Sequence, residues 1–292
     1  MPRSSGTPGL SAGESSRPEL TLLEVLRRAA AYLETHGSSS PRLDAELLLA
    51  HSLRLRRLDL YLQFERHLAE ADLAGYRELV GRCRSGEPVA YILGRKEFMK
   101  LDFEVSPNVF VPKPDTETLV LLAVERGRRF GSGVRVADVG TGSGCIAVAV
   151  AHYLAAARVW ASEVEEAALA VAAANVCRHK LQERVTLRQG YLLEPLPDGL
   201  EIICANLPYL DPAVKLPREV LAQPHRALFA ADAGAELVSR LLQAAPGKLA
   251  PAGVVLAEIS AGLAERFDLA AYSGHRLHRD LSGQIRVLEA WL

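Results

Sequence analysis

The chain has 292 residues, of which 49% are hydrophobic and 24% charged, enough to bury a sizeable core and too many for a single small fold. Its 34 basic and 35 acidic side chains leave a formal net charge of −1, which argues against a protein held to nucleic acid by its overall field. The longest apolar stretch, Ile146 to Ala157, is broken by His152 and falls well short of the roughly 20 residues a bilayer span needs.

Residues 1–19 are rich in Ser, Gly and Pro; they lack both periodicity and the apolar centre of a signal peptide, and are predicted to be a loose tail. A small helical domain is predicted over residues 20–85. Thr21 and Glu24 stand at capping-box spacing, and Leu22, Leu26 and Leu33 mark the buried face of a first helix ending near Gly37. Ser40-Pro41 opens a second helix with Leu43, Leu47, Leu48 and Leu49 as apolar positions. A third runs from about Leu68 to Arg84. Residues 86–110 are predicted to be a hairpin linker, with Tyr91, Ile92, Phe98, Leu101, Phe103 and Val105 in short strands. Pro107, Pro112 and Pro114 are expected to keep the next segment extended.

From Val134 the pattern alternates apolar strand runs with helical stretches. The strands are predicted at Val134–Val139, Arg158–Ala161, Val185–Arg188, Ile202–Ala205, Val254–Glu258 and Ile285–Leu288. This rhythm gives an α/β domain over residues 111–292: a largely parallel sheet, covered on both faces, with its ligand site at the carboxyl ends of the strands.

Directly after the first of these strands comes Asp138-Val-Gly140-Thr141-Gly142-Ser143-Gly144. Glycines there allow a tight turn and close approach of backbone to a ligand. The spacing is G-x-G-x-G, not the dinucleotide G-x-G-x-x-G, and an acidic residue precedes it. A carboxylate suits a cation better than a pyrophosphate, and S-adenosylmethionine carries a sulfonium, an ammonium and no phosphate. Glu163, at the end of the second strand, is placed to accept hydrogen bonds from ribose hydroxyls or to cap the following helix. Tyr191, after the third strand, can pack on an adenine ring.

The fourth strand runs into Asn206-Leu207-Pro208-Tyr209. The Asn206 oxygen can accept one N–H of a planar amide or amino group, the Leu207 carbonyl the other, and Tyr209 can pack against the plane. An amide nitrogen needs such help because its lone pair is delocalised into the carbonyl. Alignment of this kind supplies roughly 7–11 kcal/mol in favourable cases.

Asn206 to Tyr209 resembles the Asn-Pro-Pro-Tyr motif of class I methyltransferases that modify amino groups on planar systems. More closely, the chain resembles the HemK/PrmC family of glutamine-N5 methyltransferases of peptide chain release factors. The resemblance rests on Glu87-Pro-Val-Ala-Tyr91-Ile-Leu-Gly94, Phe98, Val111-Pro-Lys-Pro-Asp115-Thr-Glu117, the loop Asp138 to Gly144, and Asp280-Leu-Ser-Gly283-Gln-Ile-Arg286, within about residues 20 to 292. It implies a class I (Rossmann-like) S-adenosylmethionine-dependent methyltransferase sheet with a small N-terminal helical domain that grips the protein partner. S-adenosylmethionine would sit at Asp138, Gly140, Thr141, Gly142, Ser143, Gly144, Glu163, Tyr191 and Asn206. The glutamine of a release factor's Gly-Gly-Gln loop would be held by Asn206, Leu207, Pro208 and Tyr209.

Four positions depart from the family pattern: Leu207 for proline, Lys113 for Arg, Glu163 for Asp and Gln223 for Glu. None removes an obligatory group. Two other readings compete, an N6-adenine methyltransferase acting on RNA or DNA and a glutamine methyltransferase of a ribosomal protein. Against the first, residues 20–100 hold 13 basic and 11 acidic side chains, a net of only +2. Cys83, Cys145, Cys177 and Cys204 form no C-x-x-C pair, which predicts reduced thiols in a cytoplasmic protein. No metal site, membrane contact or stable nucleic-acid binding is expected. His275 and His278 lie beside the late strands without an evident carboxylate or Cys cluster that would make a metal site and read as surface residues, and Cys145 and Cys204 as apolar packing.

Overall fold

A computed structural model describes residues 20–292; the predicted tail, residues 1–19, lies outside them. The chain divides into two compact units, at Ser85 and Gly86.

The first unit is helical: α1 (Leu22–Thr35), α2 (Pro41–Ser52), α3 (Arg57–Tyr61) and α4 (Glu70–Arg84). The Thr21–Glu24 capping box forms reciprocally, with the Glu24 carboxylate 2.9 Å from the Thr21 amide and the Thr21 hydroxyl 3.3 Å from the Glu24 amide. Helix α1 buries Leu22, Val25, Leu26, Ala29 and Leu33. Pro41 starts α2 at a position where its missing N–H costs nothing; Leu48 and Leu49 are buried as expected, whereas Leu43 is exposed. The short α3 escaped the sequence reading, since five residues are too few to show a period. Glu46 of α2 is 4% exposed and accepts from Tyr61 Oη at 2.7 Å and Arg42 Nε at 3.0 Å, which meets the cost of burying a charge.

In the second unit, Tyr91 and Ile92 lie in a short helix, α5 (Val89–Leu93), not in a strand. Pro88 begins that turn and Gly94, at φ +67°, ends it in the left-handed region. The hairpin itself is β1 (Arg95–Phe98) and β2 (Leu101–Glu104). A second correction concerns Pro114, which does not prolong an extended segment but opens α6 (Pro114–Phe130). A proline at the first helical position is pre-set for the helix, and Leu119, Val120, Ala123 and Val124 then bury one stripe.

The remaining elements alternate: β3 (Arg135–Val139), α7 (Cys145–Tyr153), β4 (Arg158–Glu163), α8 (Glu166–Arg178), β5 (Val185–Gln189), β6 (Leu200–Ala205), the short α9 (Arg218–Leu221) and α10 (His225–Leu228), α11 (Glu236–Ala244), β7 (Leu249–Glu258), β8 (Gly274–Arg279) and β9 (Ile285–Trp291). The seven strands of the large sheet lie in the order β5-β4-β3-β6-β7-β9-β8. The first five are parallel, and β9 and β8 are antiparallel. One face packs on α6 and α7 with Phe98 and Phe103 of the hairpin; the other packs on α11 and the Leu193–Leu196 turn. Cys145 and Cys204 belong to the first of these cores. The strand order reverses between β3 and β6, which opens a crevice at their carboxyl ends.

Strand β8 escaped the sequence reading, and with it the setting of His278. That ring lies 2.8 Å from the buried Glu289 carboxylate, which Arg126 also holds at 2.8 Å. Among the described residues no helix is long and apolar enough to cross a membrane, and no group of three His, Cys, Asp or Glu side chains could hold a metal.

Candidate active site

The glycine loop leaves the carboxyl end of β3 and enters α7. Gly140 and Gly142 take φ +71° and +53°, where a side chain would strain the turn. The loop is tied to the end of β4 by the Gly140 and Thr141 amides, which donate to the Ser162 carbonyl at 2.9 Å each. Asp138 is fully buried behind the loop. Its Oδ2 accepts from Thr141 Oγ1 at 2.6 Å and from the Ala147 amide at 3.0 Å, while Oδ1 has no hydrogen-bond partner. Burial pushes its carboxyl up to about 6.

A cavity opens in front of the loop. Gly140 and Gly142 line it together with Glu163, Gly190, Tyr191 and Asn206 to Tyr209. Asp138, Thr141, Ser143 and Gly144 are not on its wall; the first three are buried and shape the turn from inside. The Glu163 carboxylate accepts from the Gly142 amide at 3.0 Å through Oε2, and from the Val164 and Glu165 amides at 2.8 and 3.1 Å through Oε1. It therefore joins the glycine loop to the approach of α8, so the wall position and the capping position coincide.

Opposite, Asn206 follows the last residue of β6. Its Nδ2 donates to Thr116 Oγ1 at 3.0 Å, and among the described residues nothing donates to its Oδ1. Tyr209 Oη donates to Glu258 Oε1 at 3.1 Å. Glu258, 2% exposed at the end of β7, is pushed up to about 7 by burial, against the hydrogen bond of Tyr209 and the charge of Arg286, and its Oε2 has no hydrogen-bond partner. The Leu207 side chain is buried against the glycine loop: a Cβ on Gly140 would come 2.8 Å from Leu207 Cδ2.

The other departures are also placed. Gln223 is buried and accepts from the Val111 amide at 3.0 Å, a bond that needs an oxygen but no charge. Lys113 Nζ lies 5.6 Å from the centre of the Phe110 ring, and burial lowers its pKa.

Three features of the site were missed as such. Thr116 stood in the Pro-Asp-Thr-Glu run without a role, and Glu258 was only the end of a predicted strand. Asp280 and Arg286 are linked at 3.2 Å, and Arg286 reaches Asp115 at the start of α6 at 3.0 Å. The available signal was a polar residue at a strand or helix end, next to an otherwise apolar run.

The wall chemistry fits S-adenosylmethionine. A carboxylate suits ribose hydroxyls, Tyr191 offers an aromatic face, and a Cβ on Gly142 would meet nothing within 4 Å, so bare backbone faces the ligand space. Such a loop, on a five-strand parallel run with an antiparallel edge, defines a class I S-adenosylmethionine-dependent methyltransferase. The fold matches the crystal structure of the hMettl16 catalytic domain bound to MAT2A 3′UTR hairpin 6, with a TM-score of 0.53 at 16% identity over 74% of this chain and 81% of that one.

The particular family follows from sequence comparison. Residues 24–94 match the PrmC N-terminal domain and residues 114–223 match ribosomal protein L11 methyltransferase (PrmA). Release factor glutamine methyltransferases of Rhodopirellula baltica, Moorella thermoacetica and Geobacter sulfurreducens are 37%, 38% and 40% identical. These alignments cover 92%, 93% and 86% of this chain and 95%, 99% and 88% of the relatives. The chain belongs to the release factor glutamine methyltransferase family.

Proposed function

We propose that this enzyme, which transfers a methyl group from S-adenosylmethionine to a release factor glutamine, acts on the side-chain amide nitrogen of the Gly-Gly-Gln loop and holds it with Asn206, Leu207, Pro208 and Tyr209. The observation that carries this reading is the unpartnered Oδ1 of Asn206 on the cavity wall, beside a glycine loop built for the cofactor. When bound, S-adenosylmethionine supplies an electrophilic methyl on sulfur.

Asn206 Oδ1 and the Leu207 carbonyl each accept one amide N–H of the glutamine. Two acceptors fix the nitrogen and favour its pyramidalisation, which frees the lone pair. Tyr209 packs against the amide plane. On the cofactor side, Glu163 takes the ribose hydroxyls, Gly140 and Gly142 give close backbone approach, and Tyr191 lies against the base. Asp138, Thr141, Ser143 and Gly144 act by holding the turn.

The helical residues 20–85 serve as the part that grips the release factor, residues 86–110 as the linker, and residues 111–292 as the catalytic domain. Near-neutral charge supports a protein substrate over a nucleic acid, in the cytoplasm where release factors act. Tandem mass spectrometry of a release factor treated with enzyme and cofactor tests this reading. A methyl on the side-chain nitrogen of the Gly-Gly-Gln glutamine is expected; a methyl on another residue would contradict it.

A further inference from the structure

The alanine-rich helix α8 carries Asn175 on its buried side, although Asn is a poorer helix former than the alanines around it. The residue is 0% exposed, where an amide costs free energy unless its polar atoms find partners. Here they do. Oδ1 accepts from the Glu104 amide at 2.7 Å, and Nδ2 donates to the Glu104 carbonyl at 2.9 Å and to the Ser143 carbonyl at 2.8 Å. Resting on the placement of S-adenosylmethionine at the glycine loop, we propose that Asn175 is a positioning residue for cofactor binding: its one side-chain amide ties the hairpin linker to that loop, so that the two move as one body.

A side-chain amide has two N–H donors and one oxygen, and each donor goes to a different segment. Toward β2, Asn175 exchanges an N–H and a C=O with Glu104, as a residue of a neighbouring strand would. The Glu104 side chain itself is exposed. Toward the loop, Asn175 meets a carbonyl that α7 leaves over. The first bond inside that helix runs from the Val148 amide to the Gly144 carbonyl at 2.9 Å, so Ser143 stands one residue before the ladder. The Ala147 amide, four residues beyond Ser143, is taken by Asp138 at 3.0 Å. Ser143 is 2% exposed, and Asn175 supplies the donor that its buried carbonyl requires.

The loop is seated on α8 as well as bonded to it. A Cβ on Gly144 would come 3.3 Å from Ala172, one turn before Asn175 on the same helix face. The hairpin has further anchors: the Met99 amide donates to Glu117 at 2.7 Å, Tyr153 Oη donates to the Met99 carbonyl at 2.7 Å, and the His179 ring lies 2.8 Å from the Asp102 carbonyl. Of these ties, the Asn175 amide is the one that also bonds the glycine loop. Tyr91 and Val105 of the linker pack with Ala168 and Val171 of the same helix. Coupling of this kind is reciprocal. A cofactor that fixes the loop also steadies β2, and loosening β2 weakens the hold on the cofactor.

Two measurements on the full chain test the tie: cofactor affinity by calorimetry, and amide hydrogen exchange read by mass spectrometry with and without S-adenosylmethionine. Wild type is compared with N175A, N175D and V176A. Val176 adjoins Asn175 in α8 and is 3% exposed in the apolar core, so V176A destabilises the helix packing without touching the tie. N175A should bind cofactor about 5- to 20-fold more weakly, while KM for a release factor at saturating cofactor stays within about twofold. N175D at pH 8 keeps an acceptor for the Glu104 amide but sets an oxygen against two carbonyls, and should bind no better than N175A. V176A should lower the thermal midpoint and leave cofactor Kd within about twofold of wild type. In wild type, cofactor should slow exchange at residues 101–105 as well as at 138–147; in N175A it should do so at 138–147 alone. Wild-type affinity in N175A or N175D overturns the proposal, as does an equal weakening in V176A or cofactor-dependent protection of 101–105 that survives in N175A. If N175A does not fold, wild type decides: cofactor that protects 138–147 and leaves 101–105 unchanged overturns it. Failure of the underlying reading is separate, since cofactor would then bind and leave 138–147 unprotected.

Discussion

The two sides of the cavity are built differently. The cofactor side is made of backbone: Gly140 and Gly142 in left-handed turns, two amides donating to Ser162, and Glu163 accepting from three more. The acceptor side is made of side chains from distant parts of the chain. Asn206 depends on Thr116, 90 residues earlier, and Tyr209 on Glu258, 49 residues later. Backbone geometry fixed by local sequence is hard to alter with one side chain, whereas a side-chain relay is lost with any one of its members. Substitutions on one side should therefore leave the other nearly intact.

The largest separation is expected for Asn206→Ala. Methyl transfer should fall by about 10²–10³, the cost of one preorganised hydrogen-bond group, with cofactor affinity by calorimetry nearly unchanged. An equal loss of both would dissolve the distinction. Next comes Glu163→Ala, which removes a carboxylate from the cofactor wall; titration calorimetry should show cofactor binding weaker by about 1–3 kcal/mol. Unaltered affinity there would take Glu163 out of the site.

A smaller effect is expected where the two sides meet. Leu207→Pro keeps the carbonyl proposed to accept from the substrate and fixes its φ, but gives up the side chain packed against Gly140. Activity should stay within about tenfold of wild type; a dead variant would show that this packing, not the carbonyl, is what the position supplies.

The smallest effect concerns the clamp behind both sides. Asp280 is held down to about 2, first by the Ser282 hydroxyl, then by the Gln284 amide and Arg286. A carboxyl lowered in the folded state adds stability that is full above its ordinary 3.8 and is lost as pH falls through about 2. The thermal midpoint should drop over that window, and less steeply in Asp280→Asn.

The same contrast explains what could be read from the sequence. The glycine loop, the capping box at Thr21 and the parallel strands are local patterns, so their residues announced them. Glu163 lies at the end of β4 and on the cavity wall, a position legible because strand ends are local too. Asp138 is expected from sequence to bind the cofactor, yet its side chain turns inward to Thr141 and Ala147, and no period distinguishes those two directions. Pro114 reads from sequence as keeping the chain extended, because a proline that opens a helix and one that prolongs an extended segment look alike until the following stripe is buried. The Asn206–Thr116 and Tyr209–Glu258 hydrogen bonds join elements far apart in the chain, α6 with the end of β6 and the following loop with β7, and no window of sequence contains either pair.

The central claim is that the acceptor is a protein glutamine. Radiolabelled methyl transfer to three substrates tests it most directly: a release factor, its Gly-Gly-Gln variant with the glutamine changed to alanine, and ribosomal RNA. Label on the first alone is the expected result. Label on the RNA, or undiminished label on the alanine variant, would contradict it.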